Sequence, residues 1–232
     1  MKAVPPASRK ERSAVIQARD LGAGYGPRAV LAKLSFDLPW RRASVVLGPG
    51  GSGKSTLLRA LVNDRLGDGA DFWVRGQLTL PVSAQAVVPQ GRPAESRTLG
   101  ELLGPDARQT LESVWACAPA AAVRLDRLRE RPVALLPEGL WRLALLTVAI
   151  ANKAPLVLLD EPEVGLSGDG VRWLARRLLM LRAERTVVLV TQHLPLARMV
   201  ADHVLLLDEG MLVDQAPPRH FFDEPELRRH TC

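Results

Sequence analysis

The run Gly48-Pro49-Gly50-Gly51-Ser52-Gly53-Lys54-Ser55-Thr56 has the residue types and spacing needed to hold a polyphosphate. Glycines let successive backbone N–H groups turn inward around phosphate oxygens. A helix that starts at the end of the loop adds uncompensated N–H donors and partial positive charge. Lys54 has the reach for β- and γ-phosphates, and the Ser55 hydroxyl can ligate Mg²⁺. Farther along, Leu156-Val157-Leu158-Leu159-Asp160-Glu161-Pro162 is an apolar run that ends in neighbouring carboxylates. A strand that ends at Asp160 sets that carboxylate to hold Mg²⁺ through water. Glu161 points differently and can polarise an attacking water. An acidic turn after a strand is common in itself, but behind this loop it supplies the second half of a phosphate-loop site.

These groups need elements that position them. Residues 44–47 read as a short β-branched strand ending at the glycine cluster, and 55–63 as the helix that follows. Residues 13–38 read as extended segments around a Gly-rich turn at Gly22 to Pro27. Residues 73–80 and 84–88 look like strands, and 99–131 mostly helical, broken at Pro105 and Pro119. Further helices are expected at 140–152, 171–184 and 196–201. Buried strands are expected at 156–159 and 186–191. Residues 204–207 and 211–213 form a hairpin around Glu209-Gly210. This alternation of strand and helix predicts an α/β fold with parallel crossovers.

Composition narrows the class. The chain has 232 residues, 47% apolar and 24% charged, which excludes a disordered or collagen-like chain. No apolar stretch approaches the roughly 20 residues a membrane-spanning helix needs. The longest helical apolar region, 140–151, is interrupted by Arg142. Residues 1–13 carry Pro5, Pro6 and charges with no apolar core, and so read as a basic flexible tail rather than a secretory signal. Residues 14–232 read as a single domain, with a helical subdomain at about 91–137. Cys117 and Cys232 cannot build a disulfide framework, and free thiols fit a reducing cytosol. The formal net charge is +6. The arginines are interleaved with acids, as in Asp126-Arg127-Leu128-Arg129-Glu130-Arg131, which is a solvated mixed surface and argues against nucleic acid as a partner.

The ordered set of motifs resembles the nucleotide-binding subunits of ATP-binding cassette (ABC) transporters, over nearly the whole chain from about 15 to 222. The resemblance implies a P-loop NTPase of ABC ATPase type, with a RecA-like core, an antiparallel β-subdomain and a helical subdomain. It implies that Tyr25 stacks on adenine and that Gln90, in Val87-Val88-Pro89-Gln90, is the Q-loop glutamine that senses Mg²⁺ and links to the membrane partner. Glu163 to Ser167 fall at the family's D-loop, and the hairpin at 204–213 has its counterpart there. Phe221-Phe222-Asp223-Glu224-Pro225 resembles the tail of importer-type members. The expected ligands are ATP and Mg²⁺. Gly48, Gly50, Gly51, Ser52, Gly53, Lys54, Ser55 and Thr56 hold the nucleotide; Ser55, Gln90 and Asp160 hold the metal. Glu161, Gln90 and His193 are the expected catalytic set.

The departures from the family pattern carry information too. Leu136-Pro137-Glu138-Gly139-Leu140 stands where the signature Leu-Ser-Gly-Gly-Gln belongs, and only Leu136 and Gly139 agree. Pro137 lacks both N–H and hydroxyl, and Glu138 sets a carboxylate toward the γ-phosphate of an opposing subunit. Pro and Glu nonetheless start helices well, so the helix is kept. Counting back from Ala201-Asp202 puts Gln192 at the family's switch histidine and His193 one residue late; both stay open for that role. Ser167 replaces the D-loop aspartate. The resemblance implies an ATPase subunit that powers a separate membrane permease. It pairs with a second ABC ATPase subunit, identical or different, and lies in the cytoplasm at the inner face of the membrane. Isolated turnover is expected to be slow. The alternative is a non-transport ABC-type ATP-binding regulator or scaffold with little or no hydrolysis.

Overall fold

The computed structural model describes residues 15–62, 71–82, 85–90, 97–115 and 125–223. The tail at 1–13 and both cysteines, Cys117 and Cys232, lie outside them. The chain runs β1 (Val15–Tyr25), β2 (Arg28–Pro39), β3 (Ala43–Leu47), α1 (Lys54–Val62), β4 (Phe72–Thr79) and β5 (Gln85–Val88). It continues through α2 (Leu99–Leu103), α3 (Ala107–Val114), a 3-10 turn (Val133–Leu135) and α4 (Glu138–Ala151). The last stretch is β6 (Leu156–Asp160), α5 (Gly168–Glu184), β7 (Thr186–Val190), α6 (Leu194–Val200), β8 (His203–Asp208), β9 (Met211–Ala216) and α7 (Pro218–Asp223).

The strands form a three-stranded antiparallel sheet, β2-β1-β4, and a six-stranded sheet, β5-β6-β7-β3-β8-β9. The latter is parallel except for β9. All residues of β3, β6 and β7 are buried, the continuous apolar pattern of a sheet covered on both faces. Successive side chains divide between two cores. Val45, Leu47, Val157, Leu159 and Leu189 pack with α4 and α5. Val46, Leu158, Val188 and Leu205 pack with α1 and the antiparallel sheet. Each such Leu or Val contributes about 1.5–3 kcal/mol by burial. The segments at 44–47 and 156–159 share the parallel sheet as expected, with β7 between them.

Several element boundaries depart from the sequence reading for local reasons. The helix expected from 140 starts at Glu138, because the Leu140 and Trp141 amides both close onto Pro137 O. Ser167 caps α5, its Oγ accepting from Gly170 N at 3.3 Å, so this helix also starts earlier than expected. The helical expectation over 99–131 is met in part: α2 and α3 are separated at Gly104-Pro105, and 116–124 lie outside the described residues. Trp115 ties this segment to the core, stacking on Trp173 of α5 with ring centroids 3.7 Å apart and donating to Thr147 Oγ1 at 2.8 Å.

The β8–β9 turn has positive φ at both Glu209 (43°) and Gly210 (76°), the backbone of a type I′ hairpin. Gly210 is required twice over, since a Cβ there would come within 1.9 Å of Val30 O. The turn donates Gly210 N to Ser52 O (3.1 Å) and accepts Ala32 N (2.9 Å), so it ties β2 to the loop before α1.

Candidate active site

β3 delivers the chain to Gly48 and α1 carries it away from Lys54, so the phosphate-type loop spans the end of a central strand. Its own bonds shape it: Ser52 N donates to Pro49 O (3.2 Å) and Leu57 N to Gly53 O (2.8 Å). Lys54 is buried, its Nζ donating to Gly48 O at 2.9 Å and Pro49 O at 2.7 Å. Burial lowers its pKa, against the opposing pull of Glu161 and Asp160. The Ser55 hydroxyl donates to Asp160 Oδ1 at 3.1 Å, joining the helix start to the end of β6. Burial raises the Asp160 pKa, with the Ser55 bond acting the other way.

Glu161 follows Asp160 in a left-handed conformation, φ 44°. Its N–H donates to Val190 O at 2.9 Å, which pins the turn to β7. Its carboxylate takes one amide donor on each oxygen: Gln90 Nε2 to Oε2 and Gln192 Nε2 to Oε1, both at 2.7 Å. A cleft of about 370 Å³ is lined by the loop glycines, Lys54, Ser55, Val30, Gln90, Glu161 and Gln192. A larger cleft of about 560 Å³ lies against Val62, Val74, Leu78, Leu80 and Val82. None of the described residues that line it is titratable, whereas the smaller cleft gathers Lys54 and Glu161.

The structure therefore brings together Gly50, Gly51, Gly53, Lys54, Ser55, Thr56, Gln90 and Glu161 around one cleft, with Asp160 behind Ser55. His193, expected in the catalytic set, faces elsewhere: its Nδ1 accepts from Leu196 N at 3.0 Å and caps α6, while Gln192 reaches Glu161. Tyr25 ends β1, its ring 5.2 Å from that of Phe72 with the Arg59 guanidinium 5.4 Å away. The Glu138 side chain is half-exposed at the start of α4. Its carboxylate turns back to accept from Trp141 Nε1 (2.8 Å) and Arg142 (3.2 Å). Gly139 is held by packing, since a Cβ would lie 2.5 Å from Gly165 O.

Arg142 and Glu163 carry structure around the site that the motifs did not reveal. Arg142 is 1% exposed and donates to Pro89 O (3.1 Å) and Gln90 O (3.0 Å), bracing the backbone that presents Gln90. Its only trace in the sequence is a charge inside an apolar helix. Glu163 is buried two residues after Glu161 and accepts from Thr191 Oγ1.

The donor set fits a hard cation: the Ser55 hydroxyl, the Asp160 carboxylate and the Gln90 amide oxygen are all oxygen ligands. Among the described residues no cluster of three or more His, Cys, Asp or Glu forms a cage of its own. So few protein ligands suit Mg²⁺, which keeps water and phosphate oxygens in its shell.

Comparison with known proteins agrees with this geometry. The family model described as ABC transporter matches residues 31–164. The hemin import ATP-binding protein HmuV of Rhodococcus jostii is 32% identical, over 97% of this chain and 82% of its own length. The phosphate import ATP-binding protein PstB of Mycobacterium intracellulare is 29% identical, over 91% of this chain and 82% of its own. A solved ATP binding subunit of an ABC transporter superposes with a TM-score of 0.72 at 21% identity, covering 93% of this chain and 95% of that one. These relatives favour the transport reading over the regulator. With the phosphate loop, the Asp160-Glu161 strand end and the two-sheet fold in one chain, it belongs to the ABC transporter family, as an importer-like ATP-binding subunit.

Proposed function

We propose that this chain binds ATP with Mg²⁺ on residues 48–56, and that Glu161, held by Gln90 and Gln192, accepts the proton of the attacking water. As an ABC ATP-binding subunit it is an ATPase that powers a separate membrane permease. The observation that carries the reading is the carboxylate of Glu161 receiving one amide on each oxygen at 2.7 Å. Each carboxylate oxygen has a second lone pair, so the two amides fix the group and still leave an acceptor for water. The water oxygen bonds to the γ-phosphorus, its proton goes to Glu161, and the bond to the bridging oxygen of ADP breaks. Ser55, Asp160 and Gln90 would hold Mg²⁺, which would neutralise charge at the phosphates. Lys54 leaves the carbonyls of Gly48 and Pro49 for the β- and γ-phosphates. Tyr25, at the end of β1, takes the adenine ring by stacking.

Gln192 occupies the role expected of a switch histidine, and His193 serves its helix. The chain is one domain from residue 14, with residues 91–137 as its helical part. It works as half of an ATPase dimer, peripheral at the inner face of a membrane; no helix among the described residues is long and apolar enough to cross one. Its partner of choice carries an intact signature, because Pro137 supplies no N–H and the Glu138 carboxylate stands at the start of α4. Calorimetric titration of Mg·ATP onto wild type and Lys54→Ala tests the site. Binding to the wild type, weakened at least about tenfold in the variant, is expected from loss of a charge-assisted phosphate contact. Equal affinity in the two proteins refutes the assignment.

A further inference from the structure

We propose that Glu163 is a positioning residue for hydrolysis: through Thr191 it fixes the turn after β7 and so aims the Gln192 amide at Glu161. This rests on the reading that Glu161 acts on water. The turns 161–166 and 191–193 meet at two points. Gln192 Nε2 donates to Glu161 Oε1 at 2.7 Å, and Thr191 Oγ1 donates to Glu163 Oε1. Thr191 and Gln192 are consecutive residues just beyond the end of β7, and their side chains take different partners. Thr191 is fully buried toward Glu163, and Gln192 is exposed toward the cleft. The Thr191 hydroxyl also accepts His193 N at 2.9 Å, and His193 caps α6. One hydroxyl thus sets both residues that flank Gln192, and Glu163 sets the rotamer of that hydroxyl. The pairs 161–192 and 163–191 together clamp one turn against the other.

Stability alone does not account for Glu163. Its buried Oε2 has no hydrogen-bond partner among the described residues, and the residue is only 8% exposed. Burial raises its pKa, with Glu161 adding to the rise and the Thr191 bond opposing it. A buried, half-satisfied carboxyl weakens the fold where an apolar group of the same volume would not. A residue that costs stability beside a catalytic group fits a site built for geometry.

The test is the ¹H–¹⁵N spectrum of the full chain without nucleotide, with the Gln192 side-chain amide assigned by its loss in Gln192→Ala. Glu163→Met keeps the volume and removes the acceptor. Its unfolding midpoint should equal or exceed the wild type. Its Gln192 amide signals should move to their solvent positions. Its kcat should fall about tenfold with KM for ATP within about twofold, as for a misplaced rather than a missing group. Glu163→Gln restores an acceptor and should recover the amide position and part of the rate. An unmoved Gln192 amide in Glu163→Met overturns the proposal. So does an equal loss of kcat when Glu163→Met is placed in a Gln192→Ala background, because an effect routed through Gln192 must vanish there. If Glu163→Met does not fold, Thr191→Val removes the same bond together with the one from His193 N, and an unmoved Gln192 amide there overturns the proposal. The amide shift needs no turnover, so it stands or falls apart from the role of Glu161, which the rate of Glu161→Gln decides.

Discussion

Repairing the start of α4 should accelerate ATP turnover. The double change is Pro137→Ser with Glu138→Gly. At present Pro137 stands at the N-cap with no side-chain hydrogen bond, and the Glu138 carboxylate accepts from Trp141 and Arg142. Serine at the N-cap adds about 1 kcal/mol of helix stability. Removing the Glu138 carboxylate costs about 1–2 kcal/mol in hydrogen bonds, and glycine in the first turn about 0.5–1 kcal/mol more. The net loss is about 1 kcal/mol, well inside the usual margin of a domain. Gly139, already confined against Gly165, keeps the helix start in place. On the catalytic side the repair restores an N–H and a hydroxyl at position 137 and removes a negative charge. A single preorganised donor to developing phosphate charge is worth about 3 kcal/mol, or some 10²-fold in rate. The assay is phosphate release at saturating Mg·ATP across a range of protein concentrations, because the donors act on a facing subunit. If wild type already turns over as fast as the repaired protein, the reasoning fails, and the placement of residues 136–140 at the signature fails first.

Two more outcomes are expected. Arg142→Met should lower the unfolding free energy by about 2–3 kcal/mol in urea, since a buried guanidinium gives up the carbonyls of Pro89 and Gln90 and the Glu138 carboxylate. It should also reduce turnover through a displaced Gln90; a loss under about 0.5 kcal/mol counts against the brace. The ligand-free protein should lose stability as pH rises above the ordinary glutamate value of 4.5, because the raised pKa of Glu163 means the folded state holds its proton more tightly. That contribution is complete below 4.5 and lost as pH passes through the raised folded value, so thermal melts of Glu163→Gln should show a smaller decline over the window.

Much of this site can be read along the chain because its chemistry is local. A glycine loop between strand and helix, and a strand ending in Asp160-Glu161, are contiguous patterns whose geometry follows from the backbone. The β6 and β7 strands were legible for the same reason, as unbroken apolar runs between helices. The order of strands was not, since β7 enters between β6 and β3 only through long-range pairing. Which of Gln192 and His193 reaches Glu161 depended on which side chain caps α6, a contact with Leu196 that spacing leaves open. Glu163 gave no signal, because its partner Thr191 lies 28 residues away and both look ordinary in sequence. Arg142 gave a faint one: a charge among leucines at 140–151 must find buried partners, and it finds carbonyls of the turn that presents Gln90.

The central claim is that Glu161, held by two amides, acts on the water that attacks ATP. Single-turnover hydrolysis of radiolabelled ATP, with protein in excess, compares wild type with Glu161→Gln directly. Both proteins should bind Mg·ATP with affinities within about twofold, since Lys54, Ser55 and Asp160 are untouched, and the variant should be at least about 10²-fold slower. A variant that binds equally and hydrolyses at the wild-type rate contradicts the account.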